Sequence, residues 1–227
     1  MSKIPKLSQL PQLKAWLPIA VVSTILAIIC GLLGTSAGFL SSQYAFNVQI
    51  NKAGNGFTNW FATFASEAFS PKYAVILTLV IMAVIWFVAK SPFGAIEFGT
   101  MVAFGWLPAE VFKLIFNEPR GDISLLANQV MPKEADSSFP SGHVCFAIAI
   151  GFALYQFARS TRFQTLVLVL WPLTVVVEAW ARLYAGAHYL TDELGSLFST
   201  VVGLLLLTSV WDIWFSPRLQ KIKLFQK

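Results

Sequence analysis

Charged side chains are scarce in this sequence: they make up 12% of its 227 residues, whereas hydrophobic residues make up 56%. A water-soluble domain carries about 25% charged residues, so the shortage excludes an ordinary soluble fold. The missing charges leave long gaps, and none falls between Lys14 and Lys52 or between Lys72 and Lys90. A helix needs about 20 apolar residues to cross a bilayer. Together with a mean hydropathy of +0.67, these gaps predict an integral membrane protein.

Cysteine and histidine are rare as well, with two residues of each. Cys30 and Cys145 fall within apolar runs, which predicts small buried side chains and excludes a disulfide framework. Histidines and carboxylates form no cluster with the spacing of a metal site, so we expect neither a metal nor another cofactor. Only His143 and His188 can then supply an imidazole for chemistry.

Six apolar runs are long enough, or nearly long enough, to span a bilayer. They lie at about Trp16 to Phe39, Tyr73 to Ala89, Phe93 to Phe112, Ser141 to Ala158, Phe163 to Ala181 and Leu194 to Phe215. A signal peptide is an alternative for the first run, since Lys3, Lys6 and Lys14 precede it, but its long apolar stretch favours a retained span. We therefore predict an all-α polytopic membrane protein, a six-transmembrane-helix bundle that forms one domain over residues 1–227.

The positive charges orient the chain, because Lys and Arg accumulate in short cytoplasmic loops. With both termini inside, ten of the sixteen basic residues face the cytoplasm. We expect a multi-pass protein of the cell inner (plasma) membrane with outer loops at about residues 41–72, 113–140 and 182–191. In the first of these loops, aromatic residues from Phe57 to Phe69 at helical spacing predict a helix at the membrane surface. The net charge of +5 follows from this topology and does not indicate nucleic-acid binding.

Both histidines fall at the outer ends of predicted spans. His188 stands four residues before Asp192, so on a helix the carboxylate can accept a hydrogen bond from one ring nitrogen and leave the other free to attack. His143 ends the sequence Pro140-Ser141-Gly142-His143 at the start of a span, where unpaired backbone N–H groups favour an anion. For either histidine alone, a hydrogen bond to a nearby group is the simpler explanation.

Lys113 and Arg120 lie at the end of the third predicted span. Cations at that depth are costly without a partner, so they favour a bound phosphate. Reaching outward to lipid headgroups is the alternative for this pair taken alone.

Taken together, the three clusters resemble the signature of the type 2 phosphatidic acid phosphatase superfamily, membrane lipid phosphatases that share their site with vanadium haloperoxidases. The family pattern is Lys, six residues, Arg-Pro; then Pro-Ser-Gly-His; then Ser-Arg, five residues, His, three residues, Asp. The matching residues are Lys113 and Arg120, then Pro140 to His143, then Arg182, His188 and Asp192. Two positions depart from the pattern, with Gly121 in place of the proline and Ala181 in place of the serine.

The resemblance implies a phosphatase that acts on a lipid phosphate among the membrane lipids, without a metal. It implies that His188 attacks phosphorus to form a phosphohistidine and that Asp192 orients it. His143 would protonate the leaving oxygen and then activate water. The phosphate oxygens would be held by Lys113, Arg120, Ser141, Gly142 and Arg182.

Glu178 lies four residues before Arg182, so the two share one face of a continuous helix. A carboxylate inside a span seeks a cation. We hypothesise that Glu178 anchors Arg182 from behind the site, with a contact to a neighbouring helix as the alternative.

The motifs do not specify which lipid is the substrate. Because the site is expected to face outward, we expect undecaprenyl diphosphate, converted to undecaprenyl phosphate, with phosphatidylglycerophosphate or phosphatidate as alternatives. A transporter that binds an anion is an alternative from another class, suggested by Glu97, Glu110 and Glu178 within spans. A catalytically silent lipid-binding homologue is a third, suggested by Gly121 and Ala181.

Overall fold

All regular structure in the residues that this computed structural model describes, 13–159, 161–219 and 221–222, is helical. The helices are α1 (Leu13–Gly34), α2 (Ala37–Lys52), α3 (Gly56–Ala68), α4 (Pro71–Phe87), α5 (Pro92–Phe116), α6 (Gly142–Ala158), α7 (Gln164–Tyr184), α8 (Leu190–Val210) and α9 (Ser216–Leu219). A 3-10 turn at Ile123–Leu125 lies in the long loop between α5 and α6, and a π-helical turn at Trp211–Phe215 joins α8 to α9. The predicted all-α fold class is confirmed.

Helices occupy all six predicted spans, although their lengths differ. Among the described residues, α1, α5, α7 and α8 are long and apolar enough to cross a bilayer. α3 and α4 together form a fifth candidate, with a bend of 59° between them. α6 is a shorter apolar helix of 17 residues. The protein is therefore a membrane protein with several apolar helices. Its orientation remains a prediction, because Lys3, Lys6, Lys223 and Lys227 lie outside the described residues.

The first predicted span extends past the end of the observed helix, and the first predicted outer loop is largely helical. α1 stops at Gly34 and α2 starts at Ala37, so the apolar run to Phe39 is not one helix. α3 follows Asn55, whose side chain accepts hydrogen bonds from the backbone N–H groups of Phe57 and Thr58 at 2.9 and 3.1 Å. This cap starts the predicted aromatic helix, since an Asn side chain satisfies N–H groups that have no partner in the first turn.

The core lies where α5, α6 and α8 pack together. Phe98 of α5, Phe146 of α6 and Leu207 of α8 are fully buried in one apolar cluster. Cys30 and Cys145 are buried free thiols, as the sequence predicted. Glycines allow the helix backbones to approach closely, as is common between helices in membranes.

Replacing Gly203 of α8 by alanine is expected to lower the melting temperature of the protein in detergent. An added Cβ would lie 2.0 Å from the carbonyl oxygen of Phe104 in α5, so the two helices would have to separate. Overpacking of this kind costs about 1–3 kcal/mol. Thermal unfolding of Gly203→Ala and of Gly38→Ala measures the difference. At Gly38 an added Cβ meets nothing within 4 Å, so that control should keep its melting temperature. Equal melting temperatures would contradict the close packing of α5 and α8.

Candidate active site

The third motif lies in the tight connection between α7 and α8. Arg182 is in the last turn of α7, His188 lies in the connection itself, and Asp192 is in the first turn of α8. Gly186 adopts a φ of +65° at the turn, a conformation that residues with a Cβ disfavour. The Asp192 carboxylate accepts the backbone N–H of Tyr189 at 2.9 Å, which fixes the start of α8 around this side chain.

His188 and Asp192 form a buried pair. His188 Nδ1 lies 3.1 Å from Asp192 Oδ2, and the same oxygen accepts the hydroxyl of Ser138. The expected contact is present, but not on one helix face as the spacing suggested, because His188 precedes α8. When Nδ1–H donates to Asp192, Nε2 keeps its lone pair. Arg120 Nη1 lies 3.2 Å from that Nε2.

The electrostatic surroundings keep the His188 ring neutral. Burial lowers the pKa of His188 well below its usual value, and the neighbouring guanidinium groups of Arg120 and Arg182 lower it further. A neutral imidazole with one nitrogen tied to a carboxylate is a nucleophile. This is the protonation state that the predicted attack on phosphorus needs.

A row of buried amide side chains on α2 holds this connection in place. Asn47 Nδ2 donates to the carbonyl of His188 at 2.7 Å, and Asn51 Nδ2 donates to the carbonyl of Tyr184 at 2.9 Å. One turn earlier, Gln43 Oε1 accepts the backbone N–H of Thr191 at 2.9 Å. This row is not among the sequence predictions. Its signal was the recurrence of amides at positions 43, 47 and 51, one face of a helix in a segment interpreted as a loop.

The first motif is carried by the end of α5 and the loop after it. Lys113 is buried in the last turn of α5, which ends at Asn117 in a left-handed conformation (φ 44°). The chain then turns so that Arg120 reaches the third motif, where its Nη1 donates to the carbonyl of Ala187 at 2.6 Å. Arg120 therefore joins the α5–α6 loop to the loop that carries His188.

The second motif begins α6. Ser141 is the N-cap and Gly142 the first residue of that helix, and His143 follows in its first turn. Backbone N–H groups in a first turn have no partner within the helix. His143 is buried, and its Nε2 has no hydrogen-bond partner among the described residues.

One cavity of about 280 Å³ brings residues of all three motifs together. Its lining includes Lys113, Arg120, Gly142, His143 and His188, together with Phe69, Pro71, Trp106, Glu110, Glu134 and Asp136. Ser141 and Arg182 are fully buried next to this lining and are not part of it. The cavity is large enough for a phosphate group between the two imidazoles.

Two loop carboxylates, Glu134 and Asp136, neutralise the three cations of the site. Asp136 pairs with Lys113 and, at 2.7 Å, with Arg120. Glu134 pairs with Arg120 at 2.7 Å and with Arg182 at 2.5 Å. Although burial opposes ionisation, the neighbouring Lys113 and Arg120 hold the pKa of Asp136 below its usual value. Carboxylates and phosphates share the geometry that guanidinium groups recognise, so Glu134 and Asp136 contact these cations in the way that a phosphate could.

Glu178 does not pair with Arg182 in the structure. It is buried one turn before Arg182 on α7, but the ion pair of Arg182 is made with Glu134. Glu178 Oε1 has no hydrogen-bond partner among the described residues, and neither does Arg182 Nε. Because the α5–α6 loop supplies a closer carboxylate, the expected anchoring contact is absent, and a role for Glu178 behind the site remains a hypothesis.

The two departures from the family pattern have structural reasons. A Cβ at Gly121 would lie 2.5 Å from the ring of Tyr44, whose hydroxyl donates to the carbonyl of Asp122. The bulk of a proline would therefore collide with α2. Ala181 is fully buried in an apolar cluster with Ala62 and Ala65 of α3. Both positions are adapted to contacts with the N-terminal helices.

Comparison with known proteins gives matches of sequence and of fold. The model of the PAP2 superfamily matches residues 94–215. Undecaprenyl-diphosphatase BcrC of Bacillus subtilis (strain 168) is 27% identical over 161 residues, 69% of this chain and 79% of that protein. Putative undecaprenyl-diphosphatase YbjG of Escherichia coli (strain K12) is 32% identical over 100 residues, 43% of this chain and 47% of that protein.

Among solved structures, a transmembrane PAP2-type phosphatidylglycerolphosphate phosphatase from Bacillus subtilis is similar with a TM-score of 0.70. The match covers 87% of this chain and 97% of that chain at 20% identity. At this identity the similarity shows the fold alone.

Glu134→Gln is expected to strengthen the binding of orthovanadate, a phosphate analogue, by about tenfold, which corresponds to about 1.4 kcal/mol. The reason is that an incoming anion must displace the carboxylate from Arg120 and Arg182. Isothermal titration calorimetry of the purified proteins with orthovanadate measures the change in the dissociation constant. Asp122→Asn, which removes an outer carboxylate that pairs with neither guanidinium, should bind like the unaltered protein. Weaker binding by Glu134→Gln would show that Glu134 belongs to the anion site.

Asn47→Ala is expected to lower kcat on the order of tenfold with a smaller effect on KM. It leaves the buried carbonyl of His188 without a donor, which costs about 1–3 kcal/mol, and a misplaced imidazole slows attack. Phosphate release from a lipid phosphate gives both constants. Gln49→Ala, on the exposed face of α2, is the matched control and should retain full activity. A full kcat for Asn47→Ala would rule out a positioning role for α2.

Proposed function

Because the chain belongs to the PAP2 superfamily, we propose that it removes a phosphate group from a membrane lipid phosphate or diphosphate, with undecaprenyl diphosphate, converted to undecaprenyl phosphate, as its substrate. The observation that carries the reaction is the cavity between two buried imidazoles. One of them, His188, is tied to Asp192, and cations surround the space between the two rings.

The first step forms a phosphohistidine. The Nε2 lone pair of His188 attacks the terminal phosphorus while Nδ1–H stays hydrogen-bonded to Asp192. The bond between phosphorus and the bridging oxygen breaks, and His143 donates a proton to the departing oxygen. The lipid leaves with one phosphate fewer, and the phosphoryl group remains on His188.

The second step reverses these roles. His143, now neutral, takes a proton from a water molecule, whose oxygen attacks the phosphorus of the phosphohistidine. The nitrogen–phosphorus bond breaks, and its electron pair returns to Nε2 of His188. Inorganic phosphate leaves, and His143 is again the proton donor for the next cycle.

Fixed cations stabilise the charge that the transition state spreads over the phosphoryl oxygens. Lys113, Arg120 and Arg182 supply three positive charges, and the backbone N–H groups that follow Ser141 supply further donors. Preorganised donors of this kind make the largest contribution to many enzymatic rate enhancements. The proposed reaction needs no metal because these groups meet the charge of the phosphate.

The choice of lipid rests on the named relatives and on the expected outward orientation of the site. Two of the sequence relatives carry the name undecaprenyl-diphosphatase, one of them as putative. A site that opens at the outer membrane surface would receive a headgroup while the tails remain in the bilayer. A transporter has no need for a second imidazole across the cavity from a His–Asp pair, so we do not favour transport.

Phosphate release is expected from undecaprenyl diphosphate in detergent, at a higher kcat/KM than from phosphatidylglycerophosphate or phosphatidate. His188→Ala should abolish it, because the nucleophile is gone. EDTA should leave the rate unchanged. With substrate labelled in the terminal phosphate, rapid quenching should trap a phosphoryl label that is stable in alkali and lost in acid, as expected of a phosphohistidine.

Exposed carboxylates provide the control for this panel, and Glu67→Gln should behave as the unaltered protein. A preference for phosphatidylglycerophosphate would contradict the proposed substrate but not the proposed reaction. Turnover that requires added metal would contradict the mechanism, and the absence of phosphate release from every lipid would favour binding or transport.

A further inference from the structure

Glu118 is a buried carboxyl that the proposed mechanism does not use. It lies between Asn117 and Arg120 in the first motif, and 1% of its surface is exposed. Its backbone is fixed from both sides, because its N–H donates to Ser137 Oγ at 2.9 Å and its carbonyl accepts the N–H of Ser138 at 2.9 Å. The side chain therefore has a defined direction, which is away from the cavity and toward α1.

α1 leaves room for this carboxyl at a glycine. A Cβ at Gly34 would lie 2.1 Å from Glu118 Oε2, so the last residue of α1 packs directly on the carboxyl group. Both oxygens of Glu118 are buried, and neither accepts a hydrogen bond from a described donor. The described ion pairs of the site, which engage Lys113, Arg120 and Arg182, do not include Glu118. An ionised carboxylate in such surroundings would be very costly.

Glu118 and Asp192 meet at Ser138, which donates its N–H to the Glu118 carbonyl at 2.9 Å and its hydroxyl to Asp192 Oδ2. The two buried carboxyl groups interact with each other there. Asp192 Oδ2 is fully engaged by Ser138, Tyr189 and His188, whereas Oδ1 is buried without a donor among the described residues. Two interacting carboxyl groups in buried surroundings do not both stay ionised, and a proton on one of them can be donated to the other. One proton on Glu118 thus gives a partner to Asp192 Oδ1 and to one of the two Glu118 oxygens.

We propose that Glu118 is a positioning residue, which in its protonated form donates a hydrogen bond to Asp192 Oδ1 and thereby holds Oδ2 against His188 Nδ1. This role rests on the proposed function, in which His188 is the nucleophile. The neutral donor orients the carboxylate and adds no second negative charge beneath the imidazole. It also completes a chain of contacts from Gly34 through Glu118 and Asp192 to His188.

The protonation of Glu118 gives the proposal a pH signature. Burial and the nearby Asp192 raise the pKa of Glu118 to about 9. A carboxyl with a raised pKa is neutral below that value and ionises as the pH rises through it, so the hydrogen bond is present at pH 7 and is lost above pH 9. Among the described residues, the other titratable or charged groups around the pair are Cys30 of α1, Tyr44 of α2, Arg120 of the same loop, His188 and Tyr189 of the connection before α8, and Glu193 of α8.

Glu118→Gln separates the hydrogen bond from the titration. A glutamine amide can donate to Asp192 but cannot ionise, so this variant should keep kcat at pH 7 within about twofold and should retain it as the pH rises through about 9, where the unaltered protein loses it. At pH 7, Glu118→Ala should have a kcat on the order of a hundredfold below that of the unaltered protein, since a buried acceptor loses its donor. Its kcat should show no further loss as the pH rises through about 9. Glu67→Gln, an exposed carboxyl on α3, should follow the unaltered protein.

A measurement without substrate distinguishes failure of this proposal from failure of the proposed function. The chain has two histidines, so 15N-histidine labelling and NMR in detergent give one ring spectrum for each. The His188 Nδ1–H signal should persist in Glu118→Gln and should weaken in Glu118→Ala and in Gly34→Ala, whose added Cβ displaces the Glu118 carboxyl. If the unaltered protein hydrolyses no lipid but the variants show this pattern of His188 signals, only the proposed function is overturned. An unchanged His188 signal in Glu118→Ala, or loss of kcat at pH 9 in Glu118→Gln, would overturn the role of Glu118.

Discussion

The placement of buried charge is the constraint on which this structure depends. Lys113, Arg120 and Arg182 converge at one end of a helix bundle, where positive groups without counter-charges would repel each other and lack water. Glu134 and Asp136 compensate their charge. The same constraint acts on the negative side, where Asp192 faces the imidazole of His188 and Glu118 remains protonated. The site can be deeply buried because its cations pair with carboxylates, Asp192 contacts His188, and Glu118 is neutral.

Much of this arrangement was predictable from the sequence. The apolar runs located six helices because a bilayer imposes both the composition and the approximate length of a span. The three motifs located His143, His188, Asp192 and the cations because the chemistry depends on residue type and short spacing. The clearest error of boundary was at Phe39. There the apolar run continued, but the helix ended at Gly34, where the missing Cβ leaves room for the Glu118 carboxyl.

The contacts that organise the site could not be predicted in the same way. Asn47 meets the carbonyl of His188 across 141 positions of sequence, and Ser138 meets Asp192 across 54. Such pairings depend on how the helices pack, so the local periodicity of the sequence cannot predict which distant residues come into contact. The weak apolar pattern of α2 was also misleading, since its buried face carries amides. The pairing of Arg182 with Glu134, in place of the expected pairing with Glu178, has a related reason: Glu134 comes from a loop that is distant in sequence.

The amide row of α2 has a consequence for how such proteins can be recombined. The family match begins at residue 94, whereas Asn47 and Gly34 lie well before it. A chimera that grafts residues 94–215 onto the N-terminal helices of a relative would keep every motif residue and yet lose the side chain of Asn47 that holds the His188 carbonyl. A chimera designed to exchange lipid preference between relatives would therefore have to take α1, α2 and the three motifs from the same protein.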